Sequence, residues 1–159
     1  MPASQTNLPT APDAEAIRAA IARHLGLEGP LLPILHALQE EYGYVPGEAH
    51  EPICDALNIT RAELHGVISF YHDFRDRPAG RHVVKICRSE ACQAVGGEAL
   101  SQRVLEMLGL TWGGTTPDGS VTVEPVYCLG LCACGPAAMV DGEVRGRACA
   151  ETLVAEVAR

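Results

Sequence analysis

Apolar side chains recur every three or four residues through the first half of the chain, which is the spacing of one face of an α-helix. The pattern predicts four short helices before any strand. Gly26 and Gly43 are placed to end the first two helices in the left-handed conformation, and Pro52 confines the third helix to the residues that follow it. Thr60 and Glu63 form a capping box that opens the fourth. The predicted apolar faces are Ile17, Ile21 and Leu25; Leu31, Leu35, Leu38 and Tyr42; Ile53, Ala56 and Leu57; and Leu64, Val67, Ile68 and Tyr71.

The pattern changes after a charged, turn-forming segment at residues 75–80, in which no apolar side chain is larger than alanine or proline. We interpret this segment as a domain boundary. Residues 13–76 are predicted to form a small helical bundle, and residues 81–159 a second domain. Residues 1–12 are rich in Pro, Ser, Thr and Asn and have no hydrophobic period, so they are predicted to be a flexible tail.

The second domain begins with short apolar runs that predict strands. The first run ends at Cys87, residues 96–108 have the period of a helix, and a second run ends at Cys128. The strand residues are Val83, Val84 and Ile86 in the first run and Val121, Val123 and Val126 in the second. This order predicts a β-α-β unit with parallel strands.

The remainder of the chain predicts a hairpin and a closing helix. Asp141-Gly142 is a two-residue signature of a tight hairpin turn. Cys149, Leu153 and Val157 are four residues apart on the last helix and are predicted to form its core-facing stripe. The whole order predicts an α/β protein: a helical bundle followed by a thioredoxin-like domain with a mixed sheet, whose two cysteine loops lie at one edge.

Four cysteines are the candidate ligands of a metal site. Cys87 and Cys92 are separated by four residues, and Cys128 and Cys132 by three. Two irons bridged by sulfide leave four positions for soft thiolate ligands, so we interpret the four as the ligands of one [2Fe-2S] cluster. Such a negatively charged centre needs nearby backbone N–H donors and positive charge. Gly96, Gly97, Gly130 and Gly135 allow close backbone approach, and Lys85 and Arg88 supply positive charge.

Other interpretations of these cysteines remain open. Structural zinc accepts similar spacings. A thioredoxin-type dithiol would need C-x-x-C, and the nearest approach is Cys132-Ala133-Cys134. A disulfide framework does not suit an odd count of seven cysteines. Cys134 is an alternative ligand, although the C-x3-C spacing favours Cys132. Cys54 and Cys149 are predicted to pack, and the six histidines lie outside the cysteine loops.

Composition narrows the range of functions. The chain has 159 residues and a net charge of −8, with 12 Lys plus Arg against 20 Asp plus Glu, which argues against a nucleic-acid partner. The N-terminal stretch has neither a basic segment nor an apolar one, and no window approaches the length of a membrane-spanning helix. We therefore expect a cytoplasmic protein, in which cysteines stay reduced and can bind metal.

Several segments, in order, resemble one family over nearly all of residues 13–159. They are Leu38-Gln39-Glu40-Glu41-Tyr42-Gly43-Tyr44-Val45-Pro46, Gly66-Val67-Ile68-Ser69-Phe70-Tyr71, Cys87 and Cys92 followed by Gly96-Gly97, and Cys128-Leu129-Gly130-Leu131-Cys132. The chain resembles the thioredoxin-like [2Fe-2S] subunit of NADH dehydrogenases, the 24-kDa-type family. The resemblance implies that Cys87, Cys92, Cys128 and Cys132 hold the cluster, and that the chain carries electrons without a catalytic site of its own.

Within that family, residues 69–75 and the compact length look most like the gamma subunit of soluble, molybdenum-containing, NAD-dependent formate dehydrogenases. This resemblance implies one partner subunit that carries FMN and binds NAD, and another that carries molybdopterin and oxidises formate. The chain itself has no glycine-rich nucleotide fingerprint. The alternatives are the equivalent subunit of respiratory NADH dehydrogenase or of an NAD-linked hydrogenase, a zinc-stabilised docking module and a dithiol oxidoreductase.

Overall fold

The computed structural model describes residues 13–158, so the predicted tail at residues 1–12 lies outside the described residues, as does Arg159. The chain divides into two compact units between Pro78 and Ala79. The first unit consists of helices. They are α1 (Ala14–His24), α2 (Leu31–Tyr42), a short 3-10 turn (Gly47–Ala49), α3 (His50–Leu57) and α4 (Arg61–Phe70).

Two of the predicted helix boundaries are confirmed. Gly43 follows α2 with a φ of 80° and caps it in the left-handed conformation. The Thr60 side chain accepts from the Glu63 N–H while the Glu63 carboxylate accepts from the Thr60 N–H, which is the predicted capping box of α4. The helices enclose one core, whose largest fully buried side chains are Ile17, Ile34, Leu35, Leu38, Ile53 and Leu64.

Two other boundaries were predicted wrongly. Helix α1 ends at His24 with Leu25 as a right-handed cap, Gly26 does not adopt the predicted left-handed conformation, and Leu25 is 43% exposed instead of facing the core. Helix α3 begins at His50 and includes Pro52. Proline is accepted there because the first-turn N–H groups of a helix have no intrahelical partner to lose.

The second unit is built on a four-stranded mixed sheet. Its elements are β1 (His82–Cys87), α5 (Glu90–Ala94), α6 (Gly97–Leu108), β2 (Val121–Val126), a 3-10 turn (Cys132–Cys134), β3 (Ala138–Val140), β4 (Glu143–Arg145) and α7 (Ala150–Val157). The strand order is β2-β1-β3-β4. β1 pairs with β2 in parallel and with β3 in antiparallel fashion, and β3 pairs with β4 in antiparallel fashion. The predicted α/β fold with a thioredoxin-like mixed sheet is confirmed.

The hairpin turn is confirmed and has a second role. Asp141 and Gly142 have φ values of 49° and 87°, as a tight turn with two left-handed residues requires. The Asp141 carboxylate also accepts from the Val83 N–H at 2.8 Å and lies 2.7 Å from Nδ1 of His82. The turn is therefore tied to the start of β1.

The predicted stripe of the last helix is confirmed at Leu153 and Val157 and is wrong at Cys149. Cys149 precedes α7, is exposed, and donates its thiol to the Glu151 carboxylate at 2.9 Å. Ala150 takes its place as the first buried residue of the stripe, with Leu153 and Val157. Cys149 therefore does not pack in the core. Across residues 13–158, every helix is too short or too polar to cross a membrane.

Candidate metal centre

The two cysteine loops leave the sheet at the same edge. Because β1 and β2 are parallel, their carboxyl ends lie side by side, and Cys87, the last residue of β1, is paired with Val126, the last residue of β2. The Arg88 N–H extends this ladder by donating to the Val126 carbonyl at 2.7 Å. Cys128 follows two residues later. The predicted convergence of the two loops is a direct result of the strand order.

The first pair is buried. Cys87 and Cys92 are each 1% exposed, and Cys92 lies on α5, a helix that the periodicity did not predict. Five residues are too few to display a helical period. The local signal was Ser89 followed by Glu90, because serine favours the N-cap position and an acidic residue favours the first turn.

The second pair lies at the surface. Cys128 and Cys132 are exposed, and their Sγ atoms are 3.8 Å apart. The Gly130 N–H donates to the Cys128 sulfur at 3.4 Å. Cys128 has a φ of 108°, a region that side chains disfavour at a cost of about 1–3 kcal/mol. Strain of this kind is concentrated at ligand-holding and active sites.

The two loops touch each other through glycine and backbone. The Cys87 N–H donates to the Ala137 carbonyl at 2.9 Å, which joins the first loop to the segment after the second. A Cβ atom on Gly135 would lie 2.7 Å from a methyl group of Val95 and 3.7 Å from Cα of Cys92. Gly135 therefore allows the second loop to pass over the first.

The chemistry of the donor set fits a dinuclear iron–sulfur centre. The 3.8 Å separation within the second pair is the edge of a tetrahedron whose metal–sulfur bonds are about 2.3 Å long. Cys87, Cys92 and Ala137 form a small buried cluster with Val126, Leu129 and Leu131 packed against it. Within residues 13–158 no three His, Cys, Asp or Glu side chains are grouped to hold a single metal ion. A [2Fe-2S] cluster does not require such a grouping, because it takes two protein ligands at each iron.

Comparison with known proteins assigns the family. Residues 17–158 match the family model described as thioredoxin-like [2Fe-2S] ferredoxin. The chain belongs to the thioredoxin-like [2Fe-2S] ferredoxin family. Its resident cofactor is accordingly a [2Fe-2S] cluster, a carrier of single electrons.

Two curated relatives and one solved structure illustrate the similarity. A subunit of an NADH-quinone oxidoreductase of Rhizobium meliloti (strain 1021) is 34% identical over 132 residues, which cover 83% of this chain and 79% of the relative. The HndA subunit of an NADP-reducing hydrogenase of Solidesulfovibrio fructosivorans is 34% identical over 119 residues, which cover 75% of this chain and 70% of the relative. A chain of an NAD⁺-reducing [NiFe]-hydrogenase in the H₂-reduced state shares the fold, with a TM-score of 0.63 and 24% identity, over 78% of this chain and 21% of that one.

In this ferredoxin-family chain the four sulfur atoms interact electrostatically. Burial raises the pKa of Cys87, but hydrogen bonds from Ser89, from the Cys92 thiol and from the Cys128 N–H outweigh burial and bring the pKa below its usual value. Burial raises the pKa of Cys92, and the hydrogen bond with Cys87 and the charges of Cys87 and Cys132 raise it further. The hydrogen bond with Cys128 and the charge of Cys128 raise the pKa of Cys132 most. Burial and the charge of Cys87 raise it further.

The predicted positive side chains are both paired with carboxylates. Lys85 on β1 lies 3.8 Å from its cross-strand neighbour Glu124, and both are half-buried. An Arg88 guanidinium nitrogen lies 3.3 Å from the Glu98 carboxylate, and the guanidinium lies 5.2 Å from the centre of the Trp112 ring. Arg88 thereby joins the end of β1 to the first turn of α6 and to the loop before β2.

The remaining cysteines have different surroundings. Cys54 is buried in the core of the helical unit, as predicted for a packing thiol. Cys134 is half-buried, and its carbonyl accepts from the Arg147 N–H at 2.6 Å. A Cβ on Gly146 would lie 3.0 Å from Cβ of Cys134, so this cysteine packs against the end of the hairpin.

Proposed function

We propose that Cys87, Cys92, Cys128 and Cys132 are the four ligands of the [2Fe-2S] cluster. The observation that carries this proposal is the meeting of two thiol pairs at one edge of a parallel strand pair, with the Cys87 N–H bonded to the Ala137 carbonyl. Bound there, the cluster supplies one-electron transfer. The chain's own residues hold its sulfur ligands, bury one pair and donate hydrogen bonds to Cys87 and Cys128.

At the level of the complex, we propose an electron-transfer subunit of an NAD-dependent formate dehydrogenase. The chain exchanges single electrons with the FMN of a partner subunit that binds NAD, and a third subunit carries molybdopterin. Support comes from the resemblance of residues 69–75. The exposed Tyr127 and Val95, which adjoin the second and first cysteine pairs, give the partner an apolar rim. None of the seven cysteines forms a disulfide, which suits the reducing cytoplasm where we place the complex.

The names of the relatives favour a second candidate. They are subunits of an NADH-quinone oxidoreductase and of an NADP-reducing hydrogenase, each 34% identical to this chain. The same electron-carrying role in such a complex requires the same cluster and the same flavin partner. The two candidates differ in the partner subunit beyond the flavin, which oxidises formate in the first and either oxidises hydrogen or reduces quinone in the second.

Purification of the native complex through a tag on this chain separates the candidates. Molybdopterin and formate-dependent NAD reduction are expected in the complex. Nickel with hydrogen-dependent activity, or quinone-reductase subunits without molybdenum, would instead assign the second candidate. Stoichiometric zinc without sulfide in anaerobically prepared protein would contradict both.

Serine variants test the ligand set. Cys87→Ser, Cys92→Ser, Cys128→Ser and Cys132→Ser are each expected to lose iron or to alter the visible and EPR spectra, because a harder oxygen ligand replaces a thiolate. Cys134→Ser and Cys149→Ser are the matched controls and are expected to keep wild-type spectra. A wild-type spectrum in any of the first four variants would remove that residue from the set.

A further inference from the structure

Ser89 is placed between the end of β1 and the start of α5, beside the buried Cys87. Its Oγ lies 3.1 Å from the Cys87 sulfur, and its N–H also donates to that sulfur. Its carbonyl accepts from the N–H groups of Cys92 and Gln93, at 3.0 Å each. One residue thus contacts both members of the buried cysteine pair.

The Ser89 hydroxyl does not have the role that its position normally gives to serine. Ser89 is the N-cap of α5, where a serine side chain usually accepts from a first-turn N–H, yet it makes no capping hydrogen bond. Thr60 is the comparison within the same chain, because its side chain does cap α4. At Ser89 the hydroxyl is directed to the Cys87 sulfur instead.

We propose that Ser89 is a positioning residue that sets the reduction potential of the cluster by donating its hydroxyl hydrogen to the Cys87 thiolate. The inference rests on the proposed role of Cys87 as a ligand. A metal-bound cysteine carries no proton, so the hydroxyl is the only donor in this pair. The Cys87 sulfur is buried and the bond itself is partly buried, so its electrostatic effect is stronger than in bulk water.

The direction of the effect follows from charge. Reduction adds one electron, and therefore one negative charge, to a centre that is already anionic. A hydrogen-bond donor stabilises the more negative state more strongly, so Ser89 makes the cluster easier to reduce. Removal of the hydroxyl lowers the potential.

The test is an EPR-monitored redox titration of the full-length protein with its cluster. We expect Ser89→Ala to reduce the equilibrium constant for one-electron reduction about tenfold, which corresponds to about 59 mV for a one-electron couple. Ser89→Thr keeps the hydroxyl, so its reduction potential is expected to lie closer to the wild-type value than to that of Ser89→Ala. Thr60→Ala is the control for a lost N-cap: it is expected to lower the unfolding temperature and to leave the potential unchanged.

An unchanged potential in Ser89→Ala protein with full iron and sulfide would overturn the proposal. If the alanine variant does not hold its cluster, Ser89→Gly is titrated in its place, and loss of iron from both variants would also overturn it. Cys87→Ser separates this inference from the proposed function. If Cys87→Ser has a wild-type spectrum, the ligand assignment itself fails; if its spectrum changes while the Ser89 variants keep the wild-type potential, only the role of Ser89 fails.

Discussion

At Gly97 the packing leaves no space for a side chain. A Cβ there would lie 2.7 Å from the carbonyl oxygen of Cys92 and 2.9 Å from its carbonyl carbon, both of them backbone atoms. The loop that carries Cys92 would have to move. Gly66 on α4 offers a contrast, because its Cβ would meet nothing within 4 Å.

Gly97→Ala is therefore expected to lower the free energy of unfolding by about 1–3 kcal/mol and to reduce the iron bound per chain. Gly66→Ala is the matched control, and we expect it to raise stability by about 0.5–1 kcal/mol, because alanine favours a helix interior over glycine. Urea unfolding and iron analysis measure both effects. Equal stability of the two variants would contradict the packing argument at Gly97.

The chemistry of single residues was partly predictable from spacing. Cys87, Cys92, Cys128 and Cys132 stand out in the sequence because thiols at short intervals suggest shared metal binding. The interaction of Ser89 with Cys87 could not be predicted in the same way, because the side chain of an N-cap serine normally accepts a hydrogen bond from a first-turn N–H of its own helix. Cys149 was misplaced because a four-residue spacing does not reveal that the helix begins one residue later.

At the scale of single elements, the capping box of α4 links stability to pH. Hydrogen bonds from the N–H and the hydroxyl of Thr60 hold the pKa of Glu63 below its usual value. The stabilisation is present above the pKa of an unfolded glutamate, about 4.3, and is lost as the pH falls through the lower pKa of the folded state.

Thr60→Ala is expected to lower the free energy of unfolding by about 1 kcal/mol at pH 7. The difference from wild type should shrink below about pH 4, as protonation of Glu63 weakens the bonds that the variant lacks. Urea unfolding at a series of pH values measures the difference in free energy of unfolding between wild type and Thr60→Ala. A difference that grows on acidification would contradict the assigned role of the carboxylate.

The turn between β3 and β4 gives a second prediction at this scale. Asp141→Ala loses the hydrogen bond to the Val83 N–H and places alanine at a φ of 49°, so we expect a loss of about 1–3 kcal/mol. Asp141→Asn keeps an acceptor oxygen and tolerates this φ, and should cost less. Thermal unfolding measures the stability of the two variants. Equal losses of stability would contradict the roles assigned to the acceptor oxygen and to the φ of Asp141.

Elements with a strong local signal were predictable, and those that depend on tertiary contacts were not. Helix α2 has an apolar period and a glycine at its end, and the hairpin has its turn pair, so both were predicted correctly. Helix α5 and the 3-10 turn at Cys132–Cys134 are too short to have a period. The 3-10 turn is held in part by a hydrogen bond from a distant segment, in which the Arg147 N–H donates to the Cys134 carbonyl at 2.6 Å.

At the scale of the whole molecule, the two compact units have separate cores. The apolar core of the sheet unit is formed by residues that follow Ala79, among them Val84, Ile86, Val104, Val123 and Leu153. All four proposed ligands lie in the same unit. We propose that the thioredoxin-like unit is a domain that can load its cluster without the helical unit.

A fragment of residues 79–159 is expected to fold and to bind one [2Fe-2S] cluster per chain, with a visible spectrum like that of the full-length protein. Cys128→Ser in the same fragment is the control and should alter that spectrum. A fragment that remains unfolded, or folds without iron, would show that residues 13–78 contribute to the site.

The unequal burial of the two cysteine pairs has a consequence for chemical damage. Reagents dissolved in water reach Cys128 and Cys132 directly, whereas Cys87 and Cys92 are sheltered by the fold. In metal-free protein, iodoacetamide should therefore modify Cys128 and Cys132 well before the other pair, as mass spectrometry of timed samples can record. Decay of the cluster in air should begin at the same side, because an oxidant or a chelator reaches the exposed pair of sulfur atoms first.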